Sequence, residues 1–573
     1  MQGGIQDLSK ALVAGMPRSY PPWVKQYPRG VDWTADIPPR PLHALLDDAA
    51  TAFGARPLLN FLGRRQSYAQ TLRLVERAAK GFQQLGVGRG TRVGLFLPNS
   101  PYSVICFFAI LKVGGTVVNY SALIAQQELI RQIEDSETEI MVTLDLVALY
   151  GKVAAARRTA RIRRTVVCRM AKALPLPARV VFRLLHWREI VKPSRREGDV
   201  LFEDLVDNDG AYHPVETAPL SDVAVIQYTG GTTGEPKGVM LSHQNIYANT
   251  WQIRTWFTRA EPGRERLLAI VPFSHAFGMT AVMTFAVSLG GELATLPRFD
   301  LRQMLRTIER GRVTILVGVP TLFNAINQCL EGGGRYDLSS LKICISGGDS
   351  LPNAIRRKFV ALTGCPLAEG YGLTECGPVV TCSNPLEGID RPGSCGLPLP
   401  GTTVEIVSLE SPRTVLPADQ LGEICVRGPQ VMLGYGRQTE RTRDSIVDGR
   451  LHTGDIGRLD ADGFLYFVDR IKEVITVHGY KVYPRNIEDA IRLHPSVADV
   501  AVIGVPDPIR GEVPKAYVVG AKGAELSSDE LRGFLADKLS PVEIPHFIEF
   551  RSELPKSAAG KTLKRAVRDQ LSA

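Results

Sequence analysis

The sequence predicts an α/β protein: a large N-terminal domain of parallel α/β subdomains plus a β-rich subdomain, and a small α+β C-terminal domain. Three observations predict it. Short apolar runs alternate with amphipathic stretches from residue 42 to about residue 400. The texture then changes to short strands and turns, and past Arg470 it restarts as a compact unit with its own helices and strands. At 573 residues the chain is also too long for one ordinary domain.

The elements follow from local patterning. Residues 72–85 have helical amphipathic spacing, residues 92–97 form a short buried strand, and the loop Pro98-Asn-Ser-Pro101 leads into a helix over 104–112. A second strand is expected at 116–119. Apolar strands alternating with helices argue for a parallel sheet covered on both faces. The same rhythm returns at 223–228, 267–271, 313–317 and 341–345. The β-rich part holds strands at 403–407 and 422–427. The C-terminal unit holds a helix at 486–493, strands at 497–505 and 515–519, and a helix at 528–539. The boundary is expected near 469–473, giving units of 1–470 and 471–573.

The composition is that of a globular protein, 44% hydrophobic and 22% charged. A net charge of +9 suits anionic ligands such as nucleotides, coenzyme A or an anionic membrane surface. No zinc-finger spacing or RNA-binding aromatic signature is present, so nucleic acid is not expected as a partner. The nine cysteines are scattered without a C-x-x-C pair, as expected for reduced thiols in the cytoplasm. Residues 1–40 show no secretory signal pattern, and no apolar run approaches the length of a membrane span.

Chemistry concentrates in Tyr228-Thr-Gly-Gly-Thr-Thr-Gly-Glu-Pro-Lys-Gly238, directly after an apolar strand. Gly230, Gly231 and Gly234 tolerate the dihedrals that turn backbone N–H groups toward a phosphate. Thr229, Thr232 and Thr233 add hydroxyl donors, and Lys237 adds a positive charge. A P-loop would place its lysine beside the second glycine at the start of a helix. Here Glu235 and Pro236 intervene, and the proline impedes a helix running through it.

This loop resembles the phosphate-binding signature of adenylate-forming enzymes, the superfamily of acyl-CoA synthetases, nonribosomal peptide synthetase adenylation domains and luciferases. Further motifs arrive in that family's order: Pro272-Phe-Ser-His-Ala-Phe-Gly278, Ser346-Gly-Gly348, Glu369-Gly-Tyr-Gly-Leu-Thr-Glu375, Leu451-His-Thr-Gly-Asp455, Asp469-Arg-Ile-Lys472, His478-Gly-Tyr480 and Pro555-Lys-Ser-Ala-Ala-Gly-Lys561. The resemblance covers about residues 40–570 and is closest to bacterial long-chain fatty acid–CoA ligases. Two positions depart from commoner forms of the motifs: Gly231 stands where Ser is usual, and Asp349 follows the Ser346-Gly-Gly stretch.

The resemblance implies a role for each motif residue. Gly347, Gly370 and Tyr371 would line the adenine pocket, and Thr374 would contact the α-phosphate. Glu375, helped by Thr232, would hold Mg²⁺, which favours a carboxylate plus phosphate oxygens. Asp455 would accept both ribose hydroxyls, and Arg470 would reach the ribose or phosphate. Lys561 would bridge the attacking carboxylate and the α-phosphate as charge develops. A mobile C-terminal domain would then turn about Lys472, so that Gly479 and Tyr480 line the path of the coenzyme A thiol. His275 would sit near the acyl carboxylate. The implied reaction converts a fatty acid and ATP to acyl-AMP, then to acyl-CoA, with ATP, Mg²⁺ and coenzyme A as cofactors or co-substrates. A medium-chain or aryl acid, or a carrier-protein thiol as acceptor, remains the alternative.

The acyl pocket is less sharply marked. Phe277, Met279 and the following Thr280-Ala-Val-Met-Thr-Phe-Ala-Val287 are apolar and mostly small, with residues 317–322 opposite in the family arrangement. One basic segment stands apart: residues 157–196 carry about a dozen Arg and Lys, with an amphipathic stretch Val180-Val-Phe-Arg-Leu-Leu-His-Trp187 inside it. An ordinary surface helix packed on its own domain is the favoured reading, with peripheral contact on the inner face of the membrane as the rival. The oligomeric state stays open, a homodimer included.

Overall fold

The computed structural model describes residues 21–194, 198–229, 237–478, 480–521, 523–556 and 562–569. Two large mixed sheets dominate. The first runs Gly434–Tyr435, Lys237–Ser242, Val223–Thr229, Thr116–Asn119, Arg92–Phe96, Ile140–Leu144, Arg164–Cys168, Asp199–Leu201. From Val223–Thr229 onward every pairing is parallel. All side chains of Thr116–Asn119 and of Ile140–Leu144 are buried, as a strand covered on both faces requires. The two strands at the opposite edge are antiparallel.

The second sheet runs Leu397–Pro398, Val379–Cys382, Leu367–Gly372, Ile343–Ser346, Ile315–Gly318, Arg266–Ala269, Glu292–Thr295, Pro57–Phe61, Arg64–Ser67. Its middle is parallel and both its edges are antiparallel. The parallel strands expected from the sequence form the centres of both sheets, and antiparallel strands form the rims. Tight turns such as the one between Phe61 and Arg64 leave no room for a crossover helix, so the chain can only return antiparallel.

The helices begin where the sequence supplies caps. Ser67 and Gln70 form a reciprocal capping box for Tyr68–Gln84. Ser100 and Ser103 do the same for Pro101–Lys112, whose first residue is the proline suited to that place. Lys112 is buried at the end of this helix, and its ammonium lies 2.6 Å from Asp47 Oδ1.

A five-stranded antiparallel sheet follows, formed by Thr403–Val407, Gly422–Arg427, Arg450–Leu459, Ile446–Val447 and Leu465–Arg470. A last sheet joins Tyr480–Val482, Ile475–Val477, Gly511–Gly520 and Val497–Asp507, with Phe547–Arg551 parallel to Gly511–Gly520. It has its own apolar core around Ile487, Ile491, Val502 and Leu531. The helix at its surface spans Ser528–Leu535, one turn shorter than the sequence predicts.

The basic segment departs from the favoured expectation. Helix Leu176–Leu185 buries none of its side chains, and Leu176, Val180, Val181, Leu184 and Leu185 all face solvent. It is not packed by its apolar face onto its own domain. All nine cysteines are free thiols, and among the described residues no helix is long and apolar enough to cross a membrane.

Candidate active site

Strand Val223–Thr229 turns back as Lys237–Ser242, with Thr229 opposite Lys237. The glycine- and threonine-rich segment is the connection between these two antiparallel strands. Gly230, Gly231, Thr232, Thr233 and Gly234 lie outside the described residues, as do Gly479 and Lys561.

Lys237, at the base of this hairpin, faces a group the sequence reading missed. The short strand Gly434–Tyr435 pairs with Lys237–Ser242. It brings the Tyr435 ring to 5.9 Å from the Lys237 ammonium. The Tyr435 hydroxyl donates to Glu375 Oε1 at 2.8 Å, and the Glu375 carbonyl accepts Met432 N–H at 2.8 Å. Glu375 is therefore fixed at both backbone and side chain, half-buried, on the face that carries Lys237. Its donor type suits a hard cation such as Mg²⁺ shared with phosphate oxygens. Desolvation and the nearby Arg441 cation hold the Lys237 pKa below the usual lysine value, against the attraction of Glu375. Tyr435 sits in a Gly434-Tyr-Gly436 string, a signal that sequence alone left among ordinary turn residues.

The second cluster lies where the second large sheet meets the antiparallel one. Tyr371, buried at the end of Leu367–Gly372, donates its hydroxyl to Asp455 Oδ2 at 2.8 Å. Asp455 opposes Arg470 across paired strands, and Arg470 Nε lies 3.6 Å from Asp455 Oδ1. Glu423 braces the turn before Asp455: its Oε1 accepts Gly454 N–H at 2.9 Å, and its Oε2 lies 2.8 Å from His452 Nδ1. Nothing in the spacing of Glu423 pointed to this support. The Phe467 ring centre lies 6.0 Å from that of Tyr371, and the Arg485 guanidinium lies 4.9 Å from the centre of the Phe467 ring.

Gly370 and Thr374 flank Tyr371 on the same stretch, Thr374 opening the short turn Thr374–Cys376. Gly347 follows Ile343–Ser346, and a Cβ there would come within 2.8 Å of Phe277 Cζ, so only glycine fits without moving that ring. Glu369, buried beside these residues, accepts Leu351 N–H at 3.0 Å. Burial pushes its carboxyl up to about 7.

Arg470 continues into Lys472 on a short turn Ile471–Glu473. Lys472 keeps solvent contact, yet desolvation of its ammonium, then the Arg470 cation and more weakly Lys237, push its pKa down to about 8. Asp469 spans this junction: its Oδ1 accepts Arg470 N–H and its Oδ2 accepts Arg485 N–H, at 2.8 and 2.9 Å. Tyr480 is exposed, 66% accessible, on the strand just beyond.

His275 is solvent-exposed, and its Nδ1 accepts Phe277 N–H at 3.3 Å, capping Ala276–Gly278. The expected acyl wall is largely core: Met279–Thr284 forms a fully buried π-helical turn. Thr280 Oγ1 donates to the Gly377 carbonyl, and Thr284 Oγ1 pairs with Thr250 Oγ1. Met283 alone of that stretch reaches a small cavity, which it lines with Leu95, Leu97, Phe107, Asn119 and Phe273.

The AMP-binding enzyme family matches residues 46–436, and the AMP-binding enzyme C-terminal domain matches residues 486–561. The chain is 37% identical over 556 residues to a long-chain-fatty-acid–CoA ligase of Bacillus subtilis, covering 96% of this chain and 98% of that protein. It is 36% identical over 563 residues to a long-chain-fatty-acid–CoA ligase of Salmonella typhimurium, with the same coverage. The crystal structure of ATP-bound MatB from Rhodopseudomonas palustris superposes with a TM-score of 0.80 at 27% identity, covering 94% of this chain and 99% of that one. The chain belongs to the AMP-binding enzyme family.

Proposed function

We propose that this protein is an AMP-forming long-chain fatty acid–CoA ligase. The observation that carries the reading is the pairing of two clusters: a fixed carboxylate acceptor, Asp455 held by Tyr371, and an anion-facing group of Lys237, Tyr435 and Glu375. A nucleotide offers complementary ends to such a pair, ribose hydroxyls to a two-oxygen acceptor and phosphates to cations. The near full-length similarity to two long-chain ligases supports the acyl substrate and the coenzyme A acceptor.

In this reading Thr229, Gly230, Gly231, Thr232, Thr233, Gly234 and Lys237 embrace the β- and γ-phosphates. Gly347, Gly370 and Tyr371 enclose adenine, Thr374 meets the α-phosphate, and Asp455 and Arg470 hold the ribose. Glu375, with Thr232, would hold Mg²⁺, which when bound would neutralise charge on the phosphate oxygens. The fatty acid is already ionised at neutral pH, so no general base is needed. Its carboxylate oxygen bonds to the α-phosphorus as the bond to pyrophosphate breaks. Lys561 stabilises the charge that develops between the two anions. The coenzyme A thiolate then attacks the acyl carbon, and AMP leaves with the electron pair of the anhydride bond. Residues 471–573 act as the mobile unit against 1–470, turning at Lys472 to present Gly479 and Tyr480. His275 acts through the turn it caps, which carries Phe277 toward Gly347. Long chains gain about 0.8 kcal/mol per buried methylene. The cytoplasm, which supplies ATP and coenzyme A, is the compartment of this chemistry.

The test is the nucleotide product. Purified protein with ATP, Mg²⁺, palmitate and coenzyme A yields AMP and pyrophosphate in equal amounts under this reading. ADP and phosphate as the products would refute it.

A further inference from the structure

The Leu176–Leu185 helix faces the wrong way for a surface helix. Leu176, Val180, Leu184 and the following Trp187 lie in one row at helical spacing, with Val181 and Leu185 beside them. These side chains are 71, 59, 70, 64, 53 and 72% accessible in that order. The opposite side anchors the helix: Phe182 packs on the main core and stacks on His186 at 4.7 Å. So contiguous a row of exposed aliphatics, ended by a tryptophan, needs a cover.

The charge around the row says what covers it. Arg183 and Arg188 are exposed at its two margins, with the Arg188 guanidinium 5.0 Å from the centre of the Trp187 ring. Arg179 reaches the Lys172 carbonyl at the base of the helix. In residues 157–196 the one acid is Glu189, which lies 3.2 Å from His186. A second copy laid face to face would set these cations against their own equivalents. An anionic bilayer instead offers acyl chains to the aliphatic row, phosphates to the arginines and an interfacial depth that suits Trp187.

We propose that the helix Leu176–Leu185 with Trp187 is a membrane-docking element that lies in the headgroup region of anionic lipid bilayers. It does not span the bilayer: it is too short, and Phe182 ties it to the body.

The test uses the full chain without ATP, acid or coenzyme A, so that failure of the ligase reading leaves it untouched. Protein is sedimented with vesicles of phosphatidylcholine alone or mixed with phosphatidylglycerol. The expected result is binding to the mixed vesicles, weakened by salt, with about tenfold less bound protein for L184E/L185E. R183E/R188E is expected to abolish the preference for phosphatidylglycerol. Brominated lipid should quench wild-type fluorescence and spare W187F, which reports insertion without relying on a charge variant. Circular dichroism and thermal melts check that each variant is folded. The proposal is overturned if wild type ignores both vesicles, or if L184E/L185E, folded, binds as wild type does. It is equally overturned if wild type is a dimer that L184E/L185E converts to monomer, because a second copy then owns this face.

Discussion

The Tyr371 hydroxyl donates to Asp455 Oδ2 at 2.8 Å, joining the end of a strand in the second large sheet to a strand of the antiparallel sheet. Tyr371 and Asp455 are both buried, and the other Asp455 oxygen faces Arg470. A carboxylate held this way keeps its orientation before any nucleotide arrives. That pre-organisation is what a ribose contact needs in order to contribute affinity rather than cost ordering entropy.

Replacing Tyr371 by Phe removes the orienting bond while leaving the ring. The expected outcome in fatty-acid-dependent ATP–pyrophosphate exchange is a rise in KM for ATP of about five- to tenfold, from about 1 kcal/mol for the lost bond. Asp455→Ala removes two charge-assisted bonds at about 1.5–3 kcal/mol each and should lower exchange by at least about 100-fold. Equal, small effects of both variants would deny Asp455 a direct contact.

Glu369 titrates near 7 because burial disfavours its anion. Its folded value lies above the ordinary glutamate value of 4.5, so the folded chain binds this proton more tightly than the unfolded one. Stability from this group is therefore full below about pH 4.5 and falls as the pH rises to about 7, beyond which the penalty is complete. Glu369→Gln is expected to stabilise the protein at pH 8 by up to about 3 kcal/mol and to change it little at pH 4.5. Denaturant titrations at the two pH values check this.

Lys472, at about 8, carries more free amine at mildly alkaline pH than an ordinary lysine. Acylating reagents followed by peptide mapping should modify it with a midpoint near pH 8, ahead of the other exposed lysines. Saturating ATP should slow the labelling, because phosphate charge offsets Arg470 and Lys237 and favours the ammonium. Labelling of Lys472 with the pH profile of an ordinary lysine would contradict the crowded-cation description.

Lys561→Ala should lower adenylation by about 100- to 1000-fold and largely preserve thioester formation from preformed acyl-adenylate. Single-turnover assays of each half-reaction separate the two. Equal loss of both would remove the assigned role.

Much of this was legible in the sequence because the signals were local. Strands 116–119, 403–407 and 422–427 appear with the predicted limits, since uninterrupted apolar or alternating runs between turn residues leave the backbone little choice. Tyr371, Glu375, Asp455 and Arg470 were marked by their motifs, and the fold brings them into two clusters. Tyr435 and Glu423 were not legible, because their contacts cross about sixty and thirty residues of chain and exist only once the strands pair. The outward turn of the 176–185 helix was also hidden. Amphipathic spacing fixes which residues share a face, but tertiary packing decides where that face points. The acyl wall suffered the same ambiguity: small apolar residues fill cores and line pockets alike, and here most of 279–287 fills the core.

The central claim is that this chain makes long-chain acyl-CoA. The most direct measurement is mass spectrometry of the thioesters formed by purified protein from ATP, Mg²⁺, coenzyme A and a mixed panel from acetate through palmitate and oleate to benzoate and coumarate. The account predicts palmitoyl- and oleoyl-CoA as the dominant products. Dominant short-chain or aryl thioesters, or acyl-adenylates that accumulate without thioester, would contradict it.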